Sequence, residues 1–126
     1  MKENNFPRKH RLLKRIEFIY VRRHGVYVKS QGFNVQYCEN KLEHPRLGII
    51  VSKKVDKRAS RRNLIKRKIR ESFRLLSKKL PPVDIVVLAK DKFAFHSKHI
   101  ISDSIISCFI KIEKTLDKMD CQQWKK

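Results

Sequence analysis

With 126 residues, of which 40% are hydrophobic, the chain is long enough for one domain with a buried core. Its 32 Lys and Arg residues outnumber 12 Asp and Glu residues, and the formal net charge of +20 makes nucleic acid the expected partner and an anionic membrane surface the weaker alternative. No apolar run is long enough to cross a membrane and the N-terminus has no apolar signal region, so the composition excludes a membrane-spanning protein and predicts a cytoplasmic one.

The sequence lacks the usual patterns of metal-binding and catalytic proteins. Cys38, Cys108 and Cys121 are too few and too far apart for a disulfide framework or a paired-cysteine zinc site. His96 and His99 are three residues apart, and a surface pair is favoured over a metal site. Nucleophile, phosphate-loop and zinc-protease motifs are absent and the carboxylates are scattered, so we expect neither a catalytic residue nor a metal site in this chain.

The first predicted element is a helix that begins near Arg11, after residues 1–8, which look unanchored. Gly25 follows a cationic last turn and predicts the end of this helix, because glycine and cations both favour a helix C-terminus. One side of the helix carries Leu12, Leu13, Ile16, Ile19, Tyr20 and Arg23, flanked by Phe18 and Val21.

After the helix, apolar side chains recur at every second residue, which is the period of a β-strand. This pattern predicts a strand that starts at Val26, is interrupted at Gly32 and continues to Cys38, so that two or three strands in all are predicted before the second helix. Asn34 and Gln36 fall on the polar face of this strand, where contact with water is favoured over a role in lining a nucleic-acid cleft.

A charged loop is predicted at residues 39–45, and a central strand at residues 46–53 because that range is nearly continuous in apolar and β-branched side chains. Gly48 within the strand indicates close packing or a bulge. The chain then enters a helix whose start Asp56 or Ser60 could cap, and the sequence does not choose between them.

This helix is strongly basic, and we expect the rest of the chain to be organised around it. From residue 52 to residue 74 there are 11 Lys and Arg residues against one Asp and one Glu. Apolar residues at steps of four, four and three predict one buried stripe, which consists of Ile65, Ile69, Phe73 and Leu76. At about 100° per residue the cations form a continuous face beside that stripe, with Arg62 on its border. The cations of this face repel each other, so a bound polyanion would stabilise it.

Pro81 and Pro82 end the helix, and residues 83–90 predict another strand. The order strand, helix, strand predicts a parallel pair, with a right-handed crossover by the general rule. After a loop at residues 91–96, a last helix is predicted at residues 97–118, followed by a fraying tail. Its buried side consists of Ile101, Ile105, Phe109, Ile112 and Leu116. The predicted fold class is therefore α+β, an α/β sandwich in a single domain over residues 1–126 with an ordered core at about residues 8–118.

The basic helix offers guanidinium and amide donors that suit phosphates and base edges. Because strands flank it, the helix is expected to pack on a sheet, which favours RNA over duplex DNA read by a helix-turn-helix. Three rivals remain: a structural RNA-binding protein of ribosomal type with no role in cleavage, a self-sufficient nuclease, and a DNA-binding regulator. The lack of a carboxylate cluster argues against the nuclease.

The stretch ASRRNLIKRKIRESFR, with HPRLGIIVSKK before it and PPVDIVVLAK after it, resembles the protein subunit of bacterial ribonuclease P. The N-terminal FPRKHRLLKRIEF fits the same family, and the resemblance covers about residues 6–116. It implies a left-handed βαβ crossover, against the general rule. It also implies that the complex removes the 5′ leader from precursor tRNA, with the catalytic centre and its Mg²⁺ ions in the RNA subunit. The expected partners are then the catalytic RNA and precursor tRNA, with no membrane and no DNA, and the protein alone would be inactive.

The resemblance assigns RNA-binding roles to two groups of residues. The first group consists of Arg62, Asn63, Lys66, Arg67 and Arg70 at the catalytic RNA, with Lys53, Lys54, Arg58 and Arg61 as further RNA-binding residues beside them. The group at the substrate leader, in a cleft between the first helix and the sheet, consists of Phe18, Arg22, Asn34 and Gln36. Periodicity alone supports a core role for Phe18 equally well, and Arg22 stands where the family has a second cleft aromatic, so charge would replace stacking there.

One residue departs from the family pattern. The second Arg of an Arg-Asn-Arg group is Leu64 here, which lies at about 200° from Arg62 on the helical wheel, away from the basic face. Either Arg61 or Lys68 covers the lost contact, or the contact is missing in this protein.

Overall fold

The computed structural model describes residues 10–30, 32–90 and 98–118. Its elements are α1 (Arg15–His24), β1 (Val26–Lys29), β2 (Phe33–Glu39), β3 (Arg46–Ile50), α2 (Ala59–Leu76), a 3₁₀ turn (Ser77–Lys79), β4 (Val83–Ala89) and α3 (Lys98–Lys118). This mixed arrangement of a four-stranded sheet and three helices confirms the predicted α+β class. The expected loose N-terminus, the loop after β4 and the fraying tail lie outside the described residues.

The sheet has the strand order β1-β2-β4-β3. β2 pairs antiparallel with both β1 and β4, whereas β3 pairs parallel with β4 and places Leu47 opposite Ile85. The predicted parallel βαβ unit is therefore confirmed, and the hand of its crossover stays a prediction. β3 is shorter than predicted, since it ends at Ile50.

Two strands stand where the sequence leaves open either one interrupted strand or two. Gly32 has φ 86°, in the left-handed region that favours glycine, and it lies between β1 and β2. The chain reverses there, so Val28 comes to lie opposite Val35 in an antiparallel pair. The interruption read from the sequence is thus a hairpin turn.

One face of the sheet carries the main core, because α2 and α3 bury their apolar stripes against it. The predicted stripe of α2 is confirmed at Ile65, Ile69 and Phe73, which are at most 3% exposed, with Leu76 partly buried against the same core. That of α3 is confirmed at Ile101, Ile105, Phe109 and Ile112, while the side chain of Leu116 lies outside the description. Phe73 and Phe109 meet edge to face with ring centroids 6.0 Å apart.

α1 packs on the other face, and the predicted apolar side of this helix is wrong. Val21 is fully buried and packs with Leu12 and Val86, whereas Ile16 and Tyr20 are 69% and 56% exposed. The helix also begins at Arg15 rather than near Arg11. Residues 11 and 12 are extended because they pair with the edge of β3, where the Leu12 N–H donates to the Leu47 carbonyl over 3.0 Å.

Arg46 joins α1 to the sheet. Its Nη1 donates to Glu17 Oε2 on α1 over 2.9 Å, and its Nε and Nη2 donate to the two oxygens of Asp84 on β4 over 2.8 and 2.7 Å. Glu17 Oε1 in turn accepts from the amides of Leu13 and Lys14 at the helix start. Burial raises the pKa of the Glu17 carboxyl, but these amides and Arg46 outweigh it and leave the pKa lowered. The short helix therefore has a fixed orientation over the sheet.

Candidate nucleic-acid interface

The basic residues of α2 and of the loop before it form one charged surface, and most of them contact solvent. Lys53, Lys54, Arg58, Asn63, Arg67 and Arg70 are exposed, and Arg61, Arg62 and Lys66 are half-buried. The hydrophobic stripe of α2 faces α3 and the sheet, so these cations project from the remaining sides of the helix. We call this group the basic surface.

Asp56 organises the entry to α2, although it does not occupy the cap position. The cap residue is Arg58, and its backbone N–H donates to Asp56 Oδ1 over 2.9 Å, so neither Asp56 nor Ser60 caps the helix directly. The Arg58 guanidinium also donates to the Asp56 carboxylate, and Arg61 Nε lies 3.8 Å from Asp56 Oδ2. Hydrogen bonds from the Arg58 side chain and amide, with the nearby charges, lower the pKa of this carboxyl.

Arg62 braces the same loop from within the helix. Its Nη1 donates to the carbonyl oxygens of Asp56 and Lys57, each over 2.9 Å. This residue therefore fixes the loop that carries Lys53 and Lys54, and its other N–H groups remain for phosphate. The sequence pattern did not reveal this positioning role, because Arg62 reads there as one more cation.

The two residues that could replace the family Arg at Leu64 both have acidic partners. Arg61 is paired with Asp56, and Lys68 Nζ donates to Glu71 Oε1 over 3.3 Å. Leu64 itself is half-buried. Both alternatives for the residue at position 64 stay predictions.

The basic surface meets α1 at the outer edge of β3. Lys66 and Arg70 of α2 line a cavity of about 150 Å³ together with Phe18 of α1 and Arg11. Burial, followed by the charge of Arg11, lowers the pKa of Arg70, because both disfavour its charged form. Arg11 was not singled out as a binding residue in the sequence, where it marks the start of the first predicted helix.

Phe18 is half-buried because its ring packs directly over Gly48 of β3. A Cβ atom at Gly48 would lie 2.4 Å from Phe18 Cε2 and 3.0 Å from Leu12 Cδ1. The close packing predicted at Gly48 is therefore confirmed. The ring also lines the cavity with Lys66 and Arg70, so Phe18 is both a packing residue and a wall of the cleft.

The other leader candidates separate into exposed and buried residues. Arg22 and Asn34 are exposed, but Gln36 is only 2% exposed, and the expectation that it faces water is wrong. α1 covers it, and its Nε2 donates to the Arg22 carbonyl over 3.1 Å. Gln36 therefore supports the last turn of α1 from below.

A second cavity, of about 390 Å³, opens beyond the end of α1 on the same face of the sheet. It is lined by Asn34 and Leu88 of neighbouring strands, with Lys54 and Ser52 on one side and Lys90 on the other. Lys90 and Ser52 were not singled out in the sequence. The structure thus joins Lys54 of the first predicted group to Asn34 of the second.

The described residues bring no three His, Cys, Asp or Glu side chains together in a way that could hold a metal ion. Cys121 and His96 lie outside those residues. Burial, with the charge of Asp84, raises the pKa of Cys38 to about 11, so this thiol is not a reactive thiolate at neutral pH. None of the helices in the described part of the chain is long and apolar enough to span a bilayer.

Sequence comparison places the chain among known proteins. Residues 6–113 match the family model described as Ribonuclease P. The ribonuclease P protein component of Chromohalobacter salexigens is 45% identical over 91 residues, which cover 71% of this chain and 71% of that protein. That of Chromobacterium violaceum is 40% identical over 114 residues, which cover 90% of this chain and 94% of that protein.

Solved structures agree with the sequence matches. The RNase P protein of Staphylococcus aureus superposes with a TM-score of 0.74 at 36% identity, covering 83% of this chain and 95% of that chain. The RNase P protein of Thermotoga maritima superposes with a TM-score of 0.70 at 30% identity, covering 81% and 96% of the two chains.

Proposed function

This chain belongs to the family of ribonuclease P protein components, which act in tRNA processing as part of a ribonucleoprotein, and we propose that it binds both the catalytic RNA and the 5′ leader of precursor tRNA. The whole chain would act as one RNA-binding domain. Because both proposed partners are cellular RNAs, its proposed place of action is the cytoplasm. The rival reading, a structural RNA-binding protein of ribosomal type, is not favoured by the family.

One observation carries this proposal. The same cavity is lined by Lys66 and Arg70 of the basic surface and by Phe18 of α1. The basic surface, which we propose binds phosphates, is therefore continuous with a cleft that has an aromatic wall. Cations that contact phosphates and aromatic rings that stack on unpaired bases are the means by which proteins bind single-stranded RNA. We propose that the basic surface contacts the catalytic RNA and that Phe18, Arg22 and Asn34 contact the leader, with Gln36 supporting Arg22.

The cleavage chemistry is proposed to lie in the RNA subunit. The side chains of the basic surface are guanidinium, ammonium and amide groups, which bind phosphate and are not general bases at neutral pH. Mg²⁺ prefers carboxylate and other oxygen ligands, and the nearby carboxylate of Asp56 is occupied by Arg58 and Arg61. This surface does not fit a magnesium site, so the proposed Mg²⁺ ions are bound by the RNA.

The first experiment is reconstitution. The protein is mixed with a bacterial ribonuclease P RNA at low Mg²⁺, and removal of the 5′ leader from a precursor tRNA is followed. Cleavage only in the presence of both components is expected. If the protein binds RNA tightly but does not change cleavage, a structural RNA-binding role becomes the better account.

A double variant tests the basic surface within that assay. Arg67→Ala with Arg70→Ala removes two exposed cations that lie outside the apolar stripe, so weaker binding to the catalytic RNA is expected from a protein that stays folded. Circular dichroism checks the fold. An unfolded variant, or unchanged RNA affinity, would show that this surface is assigned wrongly.

A further inference from the structure

A third cavity, of about 810 Å³, lies between the β1–β2 hairpin and α3. Its volume falls within the range of about 300–1,000 Å³ found for small-ligand sites, so it can hold a nucleotide. It is distinct from the cleft under α1, because α3 packs on the opposite face of the sheet. Of the residues assigned above to RNA binding, it contains Asn34, at its edge.

The α3 wall of this cavity carries polar side chains that the core does not need. Asp103, Ser107 and Lys111 follow one another at steps of four, so they share one helix face and span about 12 Å along the axis. The residues that α3 buries in the core, such as Ile105 and Ile112, lie on a different side. An ammonium, a hydroxyl and a carboxylate in a row can pair with a phosphate, a ribose hydroxyl and a base edge.

The hairpin wall has the complementary, apolar character. The buried Phe33 and the half-buried Val28 form its apolar floor, and Tyr27 lines it from β1, where the pairing with Gln36 puts the Tyr27 side chain on the other face of the sheet. The partly exposed Val28 gives this floor an apolar surface against which the apolar part of a nucleotide can pack.

The cavity continues the path already described along the sheet. Asn34 and Lys90 line both this cavity and the smaller one that contains Lys54. Three exposed cations, Lys54, Lys90 and Lys111, therefore line a path across the surface from the loop before α2 to the middle of α3. A cationic groove that follows a chain of phosphates is typical of sites for single-stranded nucleic acid.

We propose that this cavity is a second subsite for single-stranded RNA, which takes leader nucleotides farther from the cleavage site than those in the α1 cleft. Lys90 and Lys111 contact phosphates, Ser107 contacts a ribose hydroxyl and Asp103 contacts a base edge. The inference rests on the proposed leader-binding function and adds an extension of the leader path onto α3.

The test is a series of precursor tRNAs whose leader grows by one nucleotide at a time, each bound to the reconstituted complex of the protein and the catalytic RNA. For the wild type, the dissociation constant is expected to fall in two stages as the leader first fills the α1 cleft and then reaches α3. Lys111→Ala is expected to keep the first stage and lose the second, which weakens binding of long leaders by about twofold to tenfold.

Lys114→Ala is the matched control. Lys114 is also exposed on α3 but does not line the cavity, and its replacement removes the same single charge. It should behave as the wild type at every leader length. Equal effects of the two variants at all lengths would indicate a general charge effect and overturn the subsite.

A photoreactive nucleoside placed far along the leader should crosslink to residues 103–111 of the wild type, and crosslinks confined to other segments would also overturn the subsite. The failure of the underlying function is distinguishable, because a wild-type dissociation constant that does not change with leader length at all would contradict leader binding itself.

Discussion

Gly48 is the residue that lets α1 approach the sheet. Because it has no side chain, the Phe18 ring occupies the space where a Cβ atom would stand, 2.4 Å from Phe18 Cε2. The ring is thereby held in the wall of the cleft with one side against β3. Packing and proposed leader binding therefore depend on the same contact between Phe18 and Gly48.

Gly48→Ala should displace the Phe18 ring and weaken leader binding more than binding of the catalytic RNA. A loss of stability of about 1–3 kcal/mol is expected from overpacking. Urea denaturation gives the stability, and dissociation constants for precursor tRNA with and without its leader give the binding effect. In a Phe18→Ala background the same glycine substitution should cost much less, and an equal cost in both backgrounds would contradict the proposed clash.

At the scale of elements, α1 is held by an ion-pair network together with a small apolar cluster, and α2 by extensive apolar packing. α1 buries Val21 alone among its own residues, and the ion pairs of Arg46 with Glu17 and Asp84 join it to the sheet. α2 instead buries Ile65, Ile69 and Phe73 in the main core. The two helices should therefore respond to different perturbations.

Acid should loosen α1. The folded-state pKa of Glu17 is lowered from 4.5, so the stability that its carboxylate contributes is complete above that pH and is lost as the pH falls through the lowered value. Glu17→Gln removes the charge and keeps the shape. The difference in the free energy of unfolding between wild type and variant should be largest near neutral pH and vanish in strong acid. A difference that does not change with pH would contradict this role of the charge.

Loss of packing should destabilise α2. Ile69 is fully buried, so Ile69→Ala should lower the free energy of unfolding by about 2–5 kcal/mol. Leu75→Ala on the same helix is the matched control, because Leu75 is 64% exposed and its replacement should change stability by at most about 0.5 kcal/mol. Chemical denaturation of both variants measures the contrast, and similar losses would mean that the buried stripe is assigned wrongly.

At the scale of the whole molecule, the cleft exists because α1 is short. It has 10 residues and covers one end of its face of the sheet, whereas α2 and α3, with 18 and 21 residues, cover the opposite face. The uncovered part carries Asn34 and the half-buried Leu88, beside Lys54 and Lys90. A net charge of +20 surrounds this opening and attracts a polyanion to it.

RNA binding should therefore depend steeply on salt. If about five phosphates are neutralised, the logarithm of the binding constant should fall against the logarithm of salt concentration with a slope of roughly −3 to −5. Filter binding or fluorescence anisotropy over a salt series measures it. Arg67→Ala should reduce the slope by about one if Arg67 contacts a phosphate. A nearly flat slope for the wild type would rule out the basic surface as the main contact.

The sequence by itself determined the α+β class, the parallel βαβ unit and the buried stripes of α2 and α3. The spacing of apolar residues along the chain reveals these features, because a long helix that buries one side must repeat apolar residues along that side. The basic surface was equally visible, since its cations lie beside one such stripe.

Only the tertiary structure decided which side of α1 packs, that Gln36 is buried, and that Lys66 and Arg70 meet Phe18 at one cavity. Those outcomes depend on partners far away in the chain: Gly48 receives Phe18, and Arg46 reaches Glu17 across 29 positions and Asp84 across 38. α1 is too short and too evenly apolar for its own pattern to select a face. Steric room over β3 and one partly buried ion-pair network select the packed face instead, and they thereby set the shape of the cleft.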